Sequence, residues 1–152
     1  VSSWAQQWSR VERWYLRFSE TNSGRRHDRE SDYYQDEAYA FFQNAYHLKD
    51  WLKNDPNSSA IVSDIEQVIS QSRNLSLCAD LCNGSKHLRL DRPRASADTK
   101  IGQRHFSVGL SEPQTISARY VVESAGASYD AFAVAGGCMQ EWRAYLSAKG
   151  LL

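Results

Sequence analysis

"RHFSVGLSEPQTISARYVVE", residues 104–123, is where the hydrophobic period of this chain changes. Phe106, Val108 and Leu110 alternate with polar residues, and so do Ile116, Ala118, Tyr120 and Val122. A period of two places each set on one face of a strand. Between the sets, "SEPQT" has the composition of a turn. The stretch predicts an antiparallel β-hairpin over about 103–124, entered through the irregular "DRPRASADTKIGQ".

Outside the hairpin the period is helical. Trp4, Trp8, Val11, Tyr15 and Phe18 recur at spacings of four, three, four and three, which is one stripe of an amphipathic helix over about 2–20. Arg10, Arg13 and Arg17 fall on another face. "TNSGRRHDRESD" reads as a charged loop. A second helix, about 32–53, has Ala38, Phe41, Ala45, Leu48 and Leu52 as its stripe, widened by Phe42 and Tyr46. So broad an apolar surface predicts neighbours on more than one side. "NDPNSS" ends it, because Pro56 suits the first turn of a following helix and not the interior of this one. A third helix over about 57–72 uses Ile61, Ile65, Val68 and Ile69, and a fourth over about 74–88 uses Leu77, Cys78, Leu81 and Leu88. The last, about 129–148, has Ala131, Ala135, Cys138, Trp142 and Tyr145 as its stripe, with Gly150 past its end. The fold class read from these periods is mainly α. It is a four- or five-helix bundle with a small antiparallel hairpin inserted before the C-terminal helix, all within one domain.

The totals bound the partners. Eighteen basic residues balance eighteen acidic ones, so no global field draws the chain to nucleic acid or to an anionic membrane. Three cysteines make no secreted disulfide framework, and the expectation is a reducing, cytoplasmic setting. The apolar run "AFAVAGGCM" is far short of the roughly 20 residues that span a bilayer, so no membrane role is expected.

The chemistry-bearing stretch is "CADLCNGSKHLRL", residues 78–90. On a helix, Cys78 and Cys82 share the face of Leu81, the core side, which predicts buried structural thiols. Asp80, Asn83 and His87 share a polar face on the far side of the axis. The second helix carries a matching set, Asn44, His47 and Asp50, in "NAYHLKDW". If the two faces meet, the bundle holds two imidazoles and two carboxylates. His47, Asp50, Asp80 and His87 are then candidate ligands for Fe, Mn or Zn, or acid–base catalytic groups with each imidazole tuned by a carboxylate. The metal pattern departs from the Glu-x-x-His pairs of di-metal bundles. On one helix the seven-residue gap between Asp80 and His87 amounts to about 10.5 Å of rise. No Ser-His-Asp order, phosphate-cradling Gly loop, dinucleotide fingerprint or HExxH motif is present.

"FFQNAYHLKDWL", "CADLCNGSKHLRL" and "CMQEWRAYL" together resemble a loose group of small bacterial helical proteins with no established activity. More distantly, "CNGSKH" is similar to the signature of HEPN-type helical bundles, many of which act on RNA as dimers. That signature implies an Arg, often followed by Asn, with a His four residues after the Asn. Asn83 and His87 keep the spacing, but Cys82 stands where the Arg would supply charge to a phosphorane-like transition state. The resemblance therefore implies RNA contact more than RNA cleavage.

Charge supports the same direction locally. From residue 86 to 105, Lys86, Arg89, Arg92, Arg94, Lys100 and Arg104 stand against Asp91 and Asp98. With Asn83, the first five of these are candidate RNA contacts beside His87. Three functions are thus expected to compete: a HEPN-like RNA-binding bundle, a metal- or small-ligand-binding enzyme, and an interaction module that forms a homodimer through its aromatic helices, above all the Trp-rich first one.

Overall fold

The computed structural model describes residues 3–87 and 90–152. Five helices and four strands follow in the order α1 (Trp4–Ser23), β1 (Arg25–Arg26), α2 (Ser31–Asn54), α3 (Ile65–Gln71), α4 (Arg73–Lys86), β2 (Lys100–Gly109), β3 (Thr115–Ser124), β4 (Ala127–Asp130) and α5 (Ala131–Ala148). The protein is mainly helical with an antiparallel sheet, and no described helix is long and apolar enough to cross a membrane.

Helix α2 packs against α1 on one side and α4 on another, while α5 packs on α4 and against β3. Its residues Ala38, Phe41, Phe42, Ala45, Leu48 and Leu52 are all buried, the two-sided burial its wide apolar surface predicts. Phe18 of α1 meets Phe41, Phe42, Tyr120 and Phe132 with ring centroids 5.4–6.3 Å apart. Trp142 closes the core from α5. Each such ring contributes on the order of 1.5–3 kcal/mol by leaving water. The helix ends follow local chemistry. The Ser72 hydroxyl accepts from the Leu75 amide at 2.9 Å to cap α4, and the Asp130 carboxylate accepts from Ala133 at 2.8 Å to cap α5. Past α5, Gly150 takes φ +69°, which lets the Leu151 amide reach the Leu146 carbonyl at 2.9 Å.

Two expectations need correction. The hairpin is part of a larger sheet. β3 pairs with β2 along one side, and with the two-residue β1 and with β4 along the other. "TNSGRRHDRESD" therefore contains a strand, which its charge concealed, and β4 follows β3 through a tight turn. Ala125 at φ +51° and Gly126 at φ +77° form that turn, the paired positive φ values that suit a two-residue hairpin. An alanine there gives no turn signal in sequence. The third helix is also shorter than 57–72. Asp55 accepts from the amide and side chain of Asn57 at 2.9 and 3.1 Å, and the Ser58 hydroxyl donates to the Leu52 carbonyl at 2.7 Å. These local bonds hold 56–61 in turns, so Ile61 is exposed and Val62 takes its place in the core.

Candidate functional site

Helix α4 presents the "CADLCNGSKHLRL" residues to three different environments. Its core side carries the thiols. Cys78 donates to the Phe42 carbonyl at 3.3 Å, and all three cysteines are free and buried, as their spacing on the stripes predicts. Burial pushes the Cys82 thiol up to about 11, which favours its protonated form at neutral pH.

The opposite side is buried as well. Asp80 has no solvent exposure, and its carboxylate accepts the backbone N–H groups of Arg94, Ala95 and Ser96 at 2.7, 2.6 and 3.0 Å. The chain returning from α4 lies over that face and is fastened to it by three charge-assisted bonds. Asp80 is thus removed from the expected catalytic and metal-ligand sets: it anchors a loop. His87 is not beside it, because α4 ends at Lys86 and the His87 backbone is already extended, which voids the helical phase that paired them.

The seam between α2 and α4 gathers a different group. Gln43 donates to the Ser85 hydroxyl at 2.9 Å, and the exposed His47 places Nε2 3.6 Å from the Cys82 sulfur. Asp50 accepts from Lys49 at 2.8 Å and lines a pocket of about 310 Å³ with Trp4, Trp51 and Asp55. Among the described residues no carboxylate pairs with either imidazole. Nor do three or more His, Cys, Asp or Glu side chains converge as a metal would need. The four residues expected to ligate Fe, Mn or Zn, His47, Asp50, Asp80 and His87, are dispersed by the packing.

What remains together lies at the end of α4. His87 and Leu90 form a wall common to two clefts. One, of about 250 Å³, is lined further by Tyr39, Ser85, Thr99 and Lys100. The other, of about 550 Å³, is lined by Asn83, Asp91 and Arg92. Lys86, His87, Arg92 and Lys100 are exposed, and Asn83 is half-buried. Lys100 comes only to 4.0 Å from Glu123. Arg89 lies outside the described residues.

Arg94 leaves this group. Its guanidinium is ion-paired with Glu66, donates to the Ser70 hydroxyl at 2.6 Å and sits 6.0 Å from the Tyr46 ring centroid. It serves the fold and not a phosphate. Glu66 also receives Lys53 at 2.9 Å and Lys49 at 3.3 Å. Burial alone would push this carboxyl up, but hydrogen bonds from Lys53 and Arg94, with the Lys49 charge, outweigh it and hold the group at about 2 against an ordinary 4.5. A carboxyl so lowered stabilises the fold fully above its unfolded value, and that contribution disappears as pH falls from there towards 2. Because Glu66 is substantially exposed, the contribution is screened to about 1 kcal/mol or less. Thermal unfolding of wild type and Glu66→Gln should show a gap in midpoint at neutral pH that closes as the pH approaches 2. A gap that does not change with pH would contradict this account.

A pair of residues outside these expectations is also built deliberately. Arg25 donates to Glu37 at 2.7 Å, with side-chain exposures of 13% and 3%, and its guanidinium stands 5.1 Å from the Tyr34 ring centroid. The signal was available in sequence: Glu37 lies four residues before Phe41, in phase with the buried stripe of α2.

Comparison with known proteins adds no relative. No family model, no curated protein and no solved structure matches the chain.

Proposed function

We propose that this protein binds RNA at the end of α4, with His87 and Asn83 at the centre and Lys86, Arg92 and Lys100 as the phosphate contacts. The observation that carries the reading is the placement of His87 on the wall shared by two adjoining clefts, each with one exposed cation in its lining, Lys100 beside Asp98 in one and Arg92 beside Asp91 in the other. A backbone following the clefts would pass the imidazole and meet a cation in each. The half-buried Asn83 amide offers a donor and an acceptor to a ribose or base edge. Binding, and not cleavage, is proposed. His87 has no carboxylate to orient it among the described residues, and Cys82 stands where the HEPN-like signature would have its arginine.

Fluorescence anisotropy with a labelled single-stranded RNA tests this at a series of salt concentrations. The affinity should fall with salt along a log–log slope of about −0.7 per phosphate contact for a single strand. Lys86→Ala and Arg92→Ala should each weaken binding across sequences and flatten that slope by one such step. Absent binding at low salt, or binding indifferent to salt and to both substitutions, would overturn the proposal.

A further inference from the structure

Among the described residues β2 has an open edge. β3 pairs with it on one side, and β1 and β4 both lie on the far side of β3. After an irregularity between Ile101 and Arg104 the strand runs in register with β3 to Gly109. Phe106 and Val108 stand opposite Ala118 and Ile116, which are buried, so they belong to the face of the sheet that covers the helices. Yet Phe106 is 37% exposed and Val108 45%, and Leu110 beyond the strand end is 81% exposed. Natural sheets protect such an edge with lysine, proline or a short strand. Residues 105–109, "HFSVG", contain no lysine, arginine or proline.

We infer that this edge pairs with β2 of a second copy, antiparallel about a twofold axis at Ser107, so that two four-stranded sheets become one. In this register Ser107 opposes the partner's Ser107, Phe106 opposes the partner's Val108, and His105 opposes the partner's Gly109. The apolar pair forms twice, once on each side of the axis. Directly opposed side chains on one face lie about 4.5–5.5 Å apart, close enough to cover each other. Arg104 falls opposite the partner's Leu110, and no two like charges meet. Moving the axis to Phe106 leaves one apolar pair and sets Arg104 against Val108. Moving it to His105 sets two imidazoles face to face and loses the apolar pairs. An axis at Val108 pairs Phe106 only with Leu110, outside the strand, and keeps residues 107–109 alone in the ladder, against 105–109 about Ser107. This self-complementarity about Ser107 is what selects a second copy over an unrelated extended peptide.

Two measurements test the pairing and its register. Sedimentation of the wild type from micromolar to sub-millimolar concentration should show a monomer–dimer equilibrium. Val108→Lys, on a side chain already exposed, should weaken it by about tenfold or more. Leu16→Glu on the exposed face of α1 should leave it unchanged. In parallel, Ser107→Cys should give a disulfide-linked dimer under mild oxidation, since residues opposed across the axis fall within bridging distance. His105→Cys should not, and the native cysteines are buried. A wild type that stays monomeric throughout overturns the inference. So does a dimer broken by Leu16→Glu and not by Val108→Lys, which would place the interface on α1, and so does cross-linking through His105→Cys in place of Ser107→Cys.

Discussion

Replacing Arg25 by alanine is expected to destabilise the protein by about 3–5 kcal/mol, because it leaves the Glu37 carboxylate buried without its counter-charge. Glu37 is 3% exposed, and its second oxygen, Oε1, already lacks a hydrogen-bond partner. Of the bonds to Oε2, that from Arg25 is 2.7 Å long, whereas that from Thr21 is 3.4 Å. The loss also reaches the sheet. Arg25 sits in β1 opposite Ile116, and its guanidinium covers Tyr34. Chemical denaturation of three variants separates charge from packing. Arg25→Ala should show the full loss, whereas Glu37→Gln should lose less, because the freed guanidinium is the more exposed partner and keeps Asp28 3.9 Å away. The double variant Arg25→Met with Glu37→Leu should recover most of the stability, since an apolar pair of similar volume needs no compensation. Equal losses in Arg25→Ala and in the double variant would mean that packing, not the uncompensated charge, dominates.

The second large effect belongs to Asp80. Asp80→Ala removes three charge-assisted hydrogen bonds at once and should cost about 3 kcal/mol, a net figure reduced because the freed amides of residues 94–96 can turn to water. For a chain of this length that corresponds to a fall of about 6–12 °C in thermal midpoint. Asp80→Asn should fall between, because its amide group offers a donor where a backbone N–H already donates. The same substitutions should make residues 91–98 newly sensitive to protease while the helices remain protected. If the proposed RNA site is right, they should also weaken RNA binding without contact between Asp80 and the ligand, because Arg92 lies on the segment that Asp80 anchors and lines a cleft with His87. A variant with full stability and an intact loop would overturn the anchoring role.

These two residues show how sequence and structure divide. Asp80 lies off the apolar stripe of α4, as helical phase predicts, and a polar face shared with His87 and turned towards α2 is what that phase suggests. Helical phase says which residues share a face. It does not say what chain will later cover the face, and the loop at 94–96 is fourteen or more residues away from Asp80. Nor does phase hold past the last helical turn, which is why His87 parts from Asp80. Arg94 shows the same limit from the other side. Its charge places it in a basic run, but Glu66 and Ser70 on another element consume it.

The sequence by itself determined the mainly helical class, the buried stripes, the burial of the core cysteines and the antiparallel pairing of β2 with β3. Each of these depends on local periodicity and on partition between water and core, which a short window contains. The tertiary structure decided what those windows cannot hold. It recruited Arg25 and Arg26 as a strand, made Asp80 an anchor, dispersed the two histidines and two carboxylates of the expected metal set, and left β2 at the edge of the sheet among the described residues. Every one of these depends on which distant segment arrives opposite a given side chain, and hydrophobic period carries no record of that.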